Sequence, residues 1–293
     1  MSRLFLLLPC GWLLASLALA GVPSPARITL LEGNGVLIRG TSRYALAEGL
    51  PVRAGDILET GEKAVAQVEL GGRTLFALGP ASRALVTPGA ATGSGDVFVL
   101  AGQIKAVAAN GALRVATPEI VAGLTDATLV AQIGKQETGL FVESGEVKVA
   151  EAVSGKKPAA SVAVKSGEFH VRRAGGRGEI SKRPPANFVG GLPRVFLDNL
   201  NPRLAKFAQS PVEPKNQREI TYDDVAGWLK GPPEVRRPLV ARWHGRARDP
   251  AFRAALVANL KQHPEWDRIL FPEKYRKPDG DAKPAAKNPL NRG

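Results

Sequence analysis

Three histidines, one adjacent aspartate pair and a few serines are the residues that could do acid–base, nucleophilic or metal chemistry in this chain. His170 ends a β-patterned run, while His244 and His263 fall in helical segments beside Trp243 and Trp266. No two of them stand at H-x-x-x-H or H-E-x-x-H spacing, so a metal pair on one helix face is not encoded. No G-x-S-x-G elbow is present, Gly93-Ser94-Gly95 reads as a loop, and Ser144 and Ser166 precede glycine in turns. Asp223-Asp224 falls at a helix start, where carboxylates serve the helix dipole. Gly33-Asn34-Gly35 and Gly71-Gly72 join strands and open no helix, which excludes a phosphate-cradling loop. The expectation is therefore no catalytic residue, no cofactor and no metal. A hydrolase of envelope polymers built on His170, His244 or Asp223 is the remotest alternative.

The other chemistry is cationic. The formal net charge is +13, unevenly placed: residues 21–169 hold 14 Lys/Arg and 14 Asp/Glu, residues 170–293 hold 25 and 13. Arg236, Arg237, Arg242, Arg246, Arg248 and Arg253, with Trp228, Trp243 and Trp266 nearby, are the candidate residues for an anionic surface. Arginine interleaved with aromatics also suits single-stranded nucleic acid. Export argues against that partner and leaves anionic glycans, lipopolysaccharide or lipid headgroups.

Export is read from residues 1–20. A short positive start is followed by an apolar run from Leu4 to Ala20, which ends Ala18-Leu19-Ala20 before Gly21, the small-residue form of a signal-peptidase site. Cleavage there would remove Cys10, the one cysteine, and leave no disulfide or thiolate chemistry. The mature chain is expected in the periplasm or outside the cell.

The elements that must position these residues fall into two parts. From residue 26 to about 173 short β-rich runs alternate with glycine turns. The clearest hairpin is 65–78 about Gly71-Gly72; later strands are read at 96–100, 103–108, 113–116, 127–133, 139–142, 146–149, 161–164 and 168–172. Gly35, Gly55, Asp56, Gly71, Gly72, Gly145 and Gly167 are the expected turn residues. The pattern predicts an elongated β-sandwich or solenoid-like roll. Residues 174–191 read as a linker rich in glycine and proline. Residues 192–276 read as a small basic α-helical region, with start signals at Asn201-Pro202 and Asp249-Pro250. The Lys- and Pro-rich tail 277–293 reads as disordered.

Residues 35–170 resemble the FecR-type periplasmic domain. The resemblance rests on GVLIRG (35–40), GLPVRAGDILET (49–60), the 66–70 and 74–78 hairpin, GEVKV (145–149) and VKSGE (164–168). It implies an all-β domain that binds other proteins. The signalling members carry a cytoplasmic segment and a membrane helix, for which the two residues ahead of Arg3 leave no room. The Gly-Thr-x-Phe element common in the family is also replaced by Leu124-Thr125-Asp126-Ala127-Thr128-Leu129. Transmembrane signalling is therefore not expected. The reading is an exported, non-catalytic binding or scaffold protein that makes protein–protein contacts in the cell envelope, and the alternative is glycan or lipopolysaccharide binding through the basic region.

Overall fold

A computed structural model describes residues 26–90, 93–152, 160–207 and 212–276. The expected signal peptide (1–20) and disordered tail (277–293) lie outside the described residues. Fifteen strands are described: β1 (Arg27–Glu32), β2 (Gly35–Arg39), β3 (Ser42–Ala45), β4 (Asp56–Thr60), β5 (Val65–Gly71), β6 (Thr74–Leu78), β7 (Arg83–Pro88), β8 (Ser94–Ala116), β9 (Ile120–Ile133), β10 (Glu137–Ser144), β11 (Glu146–Glu151), β12 (Val162–Lys165), β13 (Phe169–Arg173), β14 (Gly178–Ser181) and β15 (Asn216–Glu219). The helices are α1 (Ala186–Gly190), α2 (Tyr222–Leu229), α3 (Pro233–Trp243), α4 (Pro250–Ala258) and α5 (Asp267–Leu270). The protein is mainly β with a small helical C-terminal region, as expected from the sequence.

The strands pair antiparallel into one branched, unclosed sheet that folds back on itself. One layer runs β15-β3-β2-β4-β7 and ends on residues 95–101 of β8. The facing layer runs β1-β5-β6, continues through the middle of β8 and the second half of β9, and ends β10-β13-β14. The first half of β9 carries a third group, β11 and β12, opposite β10 and β13. Inward residues of all three groups, such as Leu37, Leu58, Phe76, Ile104, Leu129, Leu140, Val149 and Val164, form one core. This is the alternation that buries every second side chain of a two-layer sandwich.

The runs expected as three strands between 96 and 116 are one strand, β8, that bends rather than turns. The bends fall at Gly102 (φ +100°), where a side chain would run into Ser82, and at the irregularity holding Asn110 (φ +60°). Bulges of this kind let a single strand pass from one layer to the next.

Both outer faces of the sandwich are covered by the chain's own C-terminal part. On the first layer, Ile38, Ile57, Leu85, Phe98 and Leu100 pack against Trp228, Leu229, Leu239, Trp243 and Phe252 of the helices. Strand β15 adds to the edge strand β3 and brings the chain to α2. On the second layer, Leu75, Ala77, Val130 and Phe169 pack against Phe188, Phe196 and Leu200.

Two expectations are corrected here. The segment 174–191 is not a plain linker: it turns into β14 and then forms α1, whose Phe188 is buried edge-on against Phe169 at 4.9 Å. Proline and glycine in that segment mark the turns at either end of β14 rather than freedom of the chain. Asn201 is not an N-cap. The backbone N–H groups of Arg203 and Leu204 instead donate to the Glu69 carboxylate of β5, at 2.5 and 3.0 Å, and Gln67 Nε2 donates to the Asn201 carbonyl at 2.9 Å. A single helical turn at Leu204–Phe207 follows.

Candidate functional site

The Gly-Asp turn is built around a buried ion pair. Asp56 is 1 % exposed at the head of β4. Its carboxylate accepts from Arg39 Nε at 2.9 Å and Nη2 at 2.6 Å, and from the Arg53 N–H at 2.8 Å. Arg39 also donates to the Pro51 carbonyl at 2.8 Å, and its pKa is raised by the bond to Asp56. Gly55 (φ +81°) leaves room for Arg242 of α3, which donates to the Gly55 carbonyl at 2.5 Å. The turn is thus the seat on which the helical cover rests.

Gly55, Gly71, Gly72, Gly145 and Gly167 all have positive φ, the backbone conformation that favours glycine. Gly35 does not: it opens β2, and the preceding turn is taken by Gly33. Its need for glycine is proximity, since a Cβ there would lie 2.8 Å from the Glu59 carbonyl oxygen.

The residues with potential chemistry are dispersed. His263 is buried with Nε2 3.1 Å from the Tyr222 hydroxyl, and burial holds its pKa below the usual range. His244 is exposed, with Nδ1 2.7 Å from the Ala241 carbonyl. His170 is buried in β13, beside Leu140 of β10 in register. Asp224 reaches back to the Thr221 N–H at 2.7 Å and takes two bonds from Arg218; these outweigh burial and lower its pKa to about 2. This is helix capping by a carboxylate, and Asp223 beside it is exposed. Glu59 is pushed up by burial, against the bond it accepts from Trp228 Nε1 at 2.9 Å. Among the described residues, no group of three His, Cys, Asp or Glu side chains is placed to hold a metal. The histidines sit on separate elements, with no contact that makes a nucleophile–base pair.

The six candidate arginines do not form one patch. Arg236 binds Glu265 through Nε at 3.0 Å, and Arg237 stands 3.5 Å from the same carboxylate. Arg246 donates to the Ile220 carbonyl at 3.0 Å and lies over the Phe252 ring. Arg253 donates to the Leu270 carbonyl. With Arg242 on Gly55, four of the six are half-buried and hold the cover together; Arg237 and Arg248 are exposed. Among the described residues no helix is long and apolar enough to cross a membrane.

Sequence reasoning missed a row of polar side chains on the outer face of the second layer. Gln67, Glu69, Gln103, Lys105 and Gln132 alternate with core residues along their strands. Each binds backbone of residues 188–204: Gln103 to the Gly191 carbonyl at 2.7 Å, Gln132 to Phe188 at 3.1 Å, and Lys105 to Phe196 and Asp198 at 2.8 and 2.9 Å. The signal that could have found them is the apolar residue between each pair of polar ones, which shows the strand but not what covers it.

What remains open is the end of the sandwich where β12 and β14 face each other. Among the described residues, strand β12 pairs with β11 alone, and β14 with β13 alone. Between the two groups lies a cleft whose lining includes Val149, Glu151, Val162, His170, Arg177 and Ile180. Val162 and Ile180 are 47 % and 46 % exposed, although each stands on the core-facing side of its strand, opposite Val149 and His170. His170 Nδ1 is buried without a hydrogen-bond partner, and burial lowers the ring's pKa. At the far end Arg172 closes the gap, bonding the carbonyls of Glu119 and Ala152 and facing Glu151 at 3.5 Å.

No curated protein matches the chain. Two crystal structures of a protein named as a "putative anti-sigma factor" from Parabacteroides distasonis are similar, each with TM-score 0.36, at 13 % and 12 % identity. The similarity covers 43 % of this chain and 59 % of that one, so the chain spans less than two thirds of that protein's length. A likeness at this level says nothing of a shared activity. Residues 56–148, from the first residue of β4 to Lys148 in β11, are matched by the family model described as FecR protein.

Proposed function

We propose that the mature chain is an exported, non-catalytic module that binds another protein in the cell envelope. The observation that carries this reading is the way the FecR-matched span is dressed. The chain's own C-terminal part covers both outer faces of the sandwich, and among the described residues the outer edges of β12 and β14 pair with no further strand. Unpaired strand edges are templates for a further strand, and main-chain pairing is a recurrent mode of protein recognition. Asp224 caps α2, and His263 is packed against Tyr222. A second reading, docking on anionic glycans or lipid headgroups, rests on the C-terminal charge excess and on the exposed Arg237 and Arg248.

The test is cross-linked affinity capture from envelope fractions with residues 21–293 as bait, at low and high salt. Retention of the same protein at both salt concentrations is expected. Absence of any protein partner, or release of all bound material by salt, would replace this reading with the anionic-surface one, because exposed charge pairs are screened. The whole mature chain is needed as bait, since cutting at 183 would remove β15 and bare the apolar face around Ile38 and Ile57.

A further inference from the structure

The open end of the sandwich has features that ordinary surface packing does not require. Two exposed aliphatic side chains, Val162 and Ile180, face the same cleft from opposite strand groups. His170, 2 % exposed, lines that cleft with an unpartnered Nδ1. A buried polar atom without a partner is costly, and in a native structure it calls for an explanation. Gly178 lies directly over the other ring nitrogen, where any side chain would strike it, so the ring is fixed in place. The Gly178 N–H donates to Glu151 at 3.0 Å, and beyond it no described residue pairs with the outer side of β14.

The charge around this edge is mainly positive, although Glu151 also lines the cleft. Arg177 precedes β14, and Lys182 and Arg183 follow it; all three are exposed, and none has a carboxylate partner among the described residues. Glu179, the one carboxylate on β14, faces Arg173 at 3.8 Å. Lys165 at the end of β12 adds little, because Glu146 stands opposite it in register and Glu168 accepts its backbone N–H. Pro184 and Pro185 stop the chain from continuing the strand, so the edge is four residues long.

We infer that the outer edge of β14 receives an extended, acidic strand of a partner protein, which sets an apolar side chain between Ile180 and Val162. This rests on the protein-binding reading and names its site. Main-chain pairing supplies the attraction, the cleft selects an apolar residue at alternate positions, and the three exposed cations select acidic residues between them.

The probe is a synthetic ten-residue peptide alternating valine and glutamate, compared with its valine–lysine counterpart, titrated into residues 21–293. Binding of the acidic peptide is expected, at least tenfold tighter than the lysine peptide, with slowed amide exchange at 178–181. Ile180→Asp should weaken it at least tenfold, and replacing Arg177, Lys182 and Arg183 together by glutamine should abolish the preference for glutamate. Both variants change exposed side chains, and an unchanged melting temperature shows that they fold. Equal binding of the two peptides, or acidic-peptide binding indifferent to Ile180→Asp, overturns the inference. So does self-association of 21–293 through Ile180, which would make the occupant a second copy. If envelope capture succeeds while these peptide tests fail, the site is wrong and the protein-binding reading stands; if both fail, both fall.

Discussion

At the scale of single residues, the Gly55-Asp56 turn links the FecR-matched span to its cover. Gly55 is needed twice: for its positive φ, and for the close approach of Arg242. Gly55→Ala should therefore destabilise the fold by about 1–3 kcal/mol, the backbone term being near 1 kcal/mol. Adding Arg242→Ala should recover the steric part, so that the two losses sum to more than the double variant shows in denaturant titration. Additive losses would mean that the guanidinium simply moves aside. The turn was legible in the sequence because glycine before aspartate is local chemistry. Its Arg39 partner was not, since Arg39 lies on another strand and only the β2–β4 register brings it across. Buried histidine gives a second prediction at this scale. His170 and His263 both have pKa values lowered by burial, so between the folded values and about 6.5 the unfolded chain binds protons that the folded chain does not. Their contribution to stability is full above that window and is lost as pH falls through it. The melting temperature should drop from pH 7 to pH 5, and His263→Gln should flatten the slope. A slope unchanged by the substitution would remove His263 from the account.

At the scale of elements, the segment from α1 to residue 204 shows how a polar row can act as a clasp. Lys105 is 2 % exposed, with its ammonium on the Glu143 carboxylate at 2.8 Å and on two carbonyls of the covering segment. Glu69 holds two backbone N–H groups of the same segment. Removing either partner strands groups that are already desolvated, and this costs more than the bonds themselves contribute. Glu69→Ala should destabilise the protein by about 1–3 kcal/mol and speed amide exchange at 203 and 204. If exchange there is unchanged, the carboxylate is not what orders the turn. The strands themselves were legible, because the alternation of Ala66, Val68 and Leu70 with Gln67 and Glu69 fixes a pleat. Which way the polar half faced was not, because alternation is equally consistent with water or with a polar cover. The open ends were hidden for the opposite reason. Val162 and Ile180 carry the aliphatic signature of core residues, and only the branching of the sheet leaves them uncovered.

At the scale of the whole molecule, the helical part behaves as a layer of the sandwich. Trp228, Trp243 and Trp266 are buried in it; Trp228 donates to Glu59, and Trp243 donates to the Gly40 carbonyl at 2.9 Å. The Ile220 N–H donates to Thr41, and β15 lengthens the β3 edge. These ties join the two parts through main chain, aromatic rings and the apolar cluster at once, so neither face can open without baring the other. Two-state behaviour follows when such a unit has one shared core. In urea, tryptophan fluorescence should report the helical layer, and far-UV circular dichroism should follow the strands that dominate the chain. The two transitions are expected to coincide, with one midpoint and one slope. A fluorescence transition at lower denaturant would instead mean that the cover lifts from an intact sandwich. The faces around Ile38 and Ile57 would then join the β14 edge as surfaces that a partner could reach. Coincident transitions keep those faces closed in the native state and leave recognition to the strand edges.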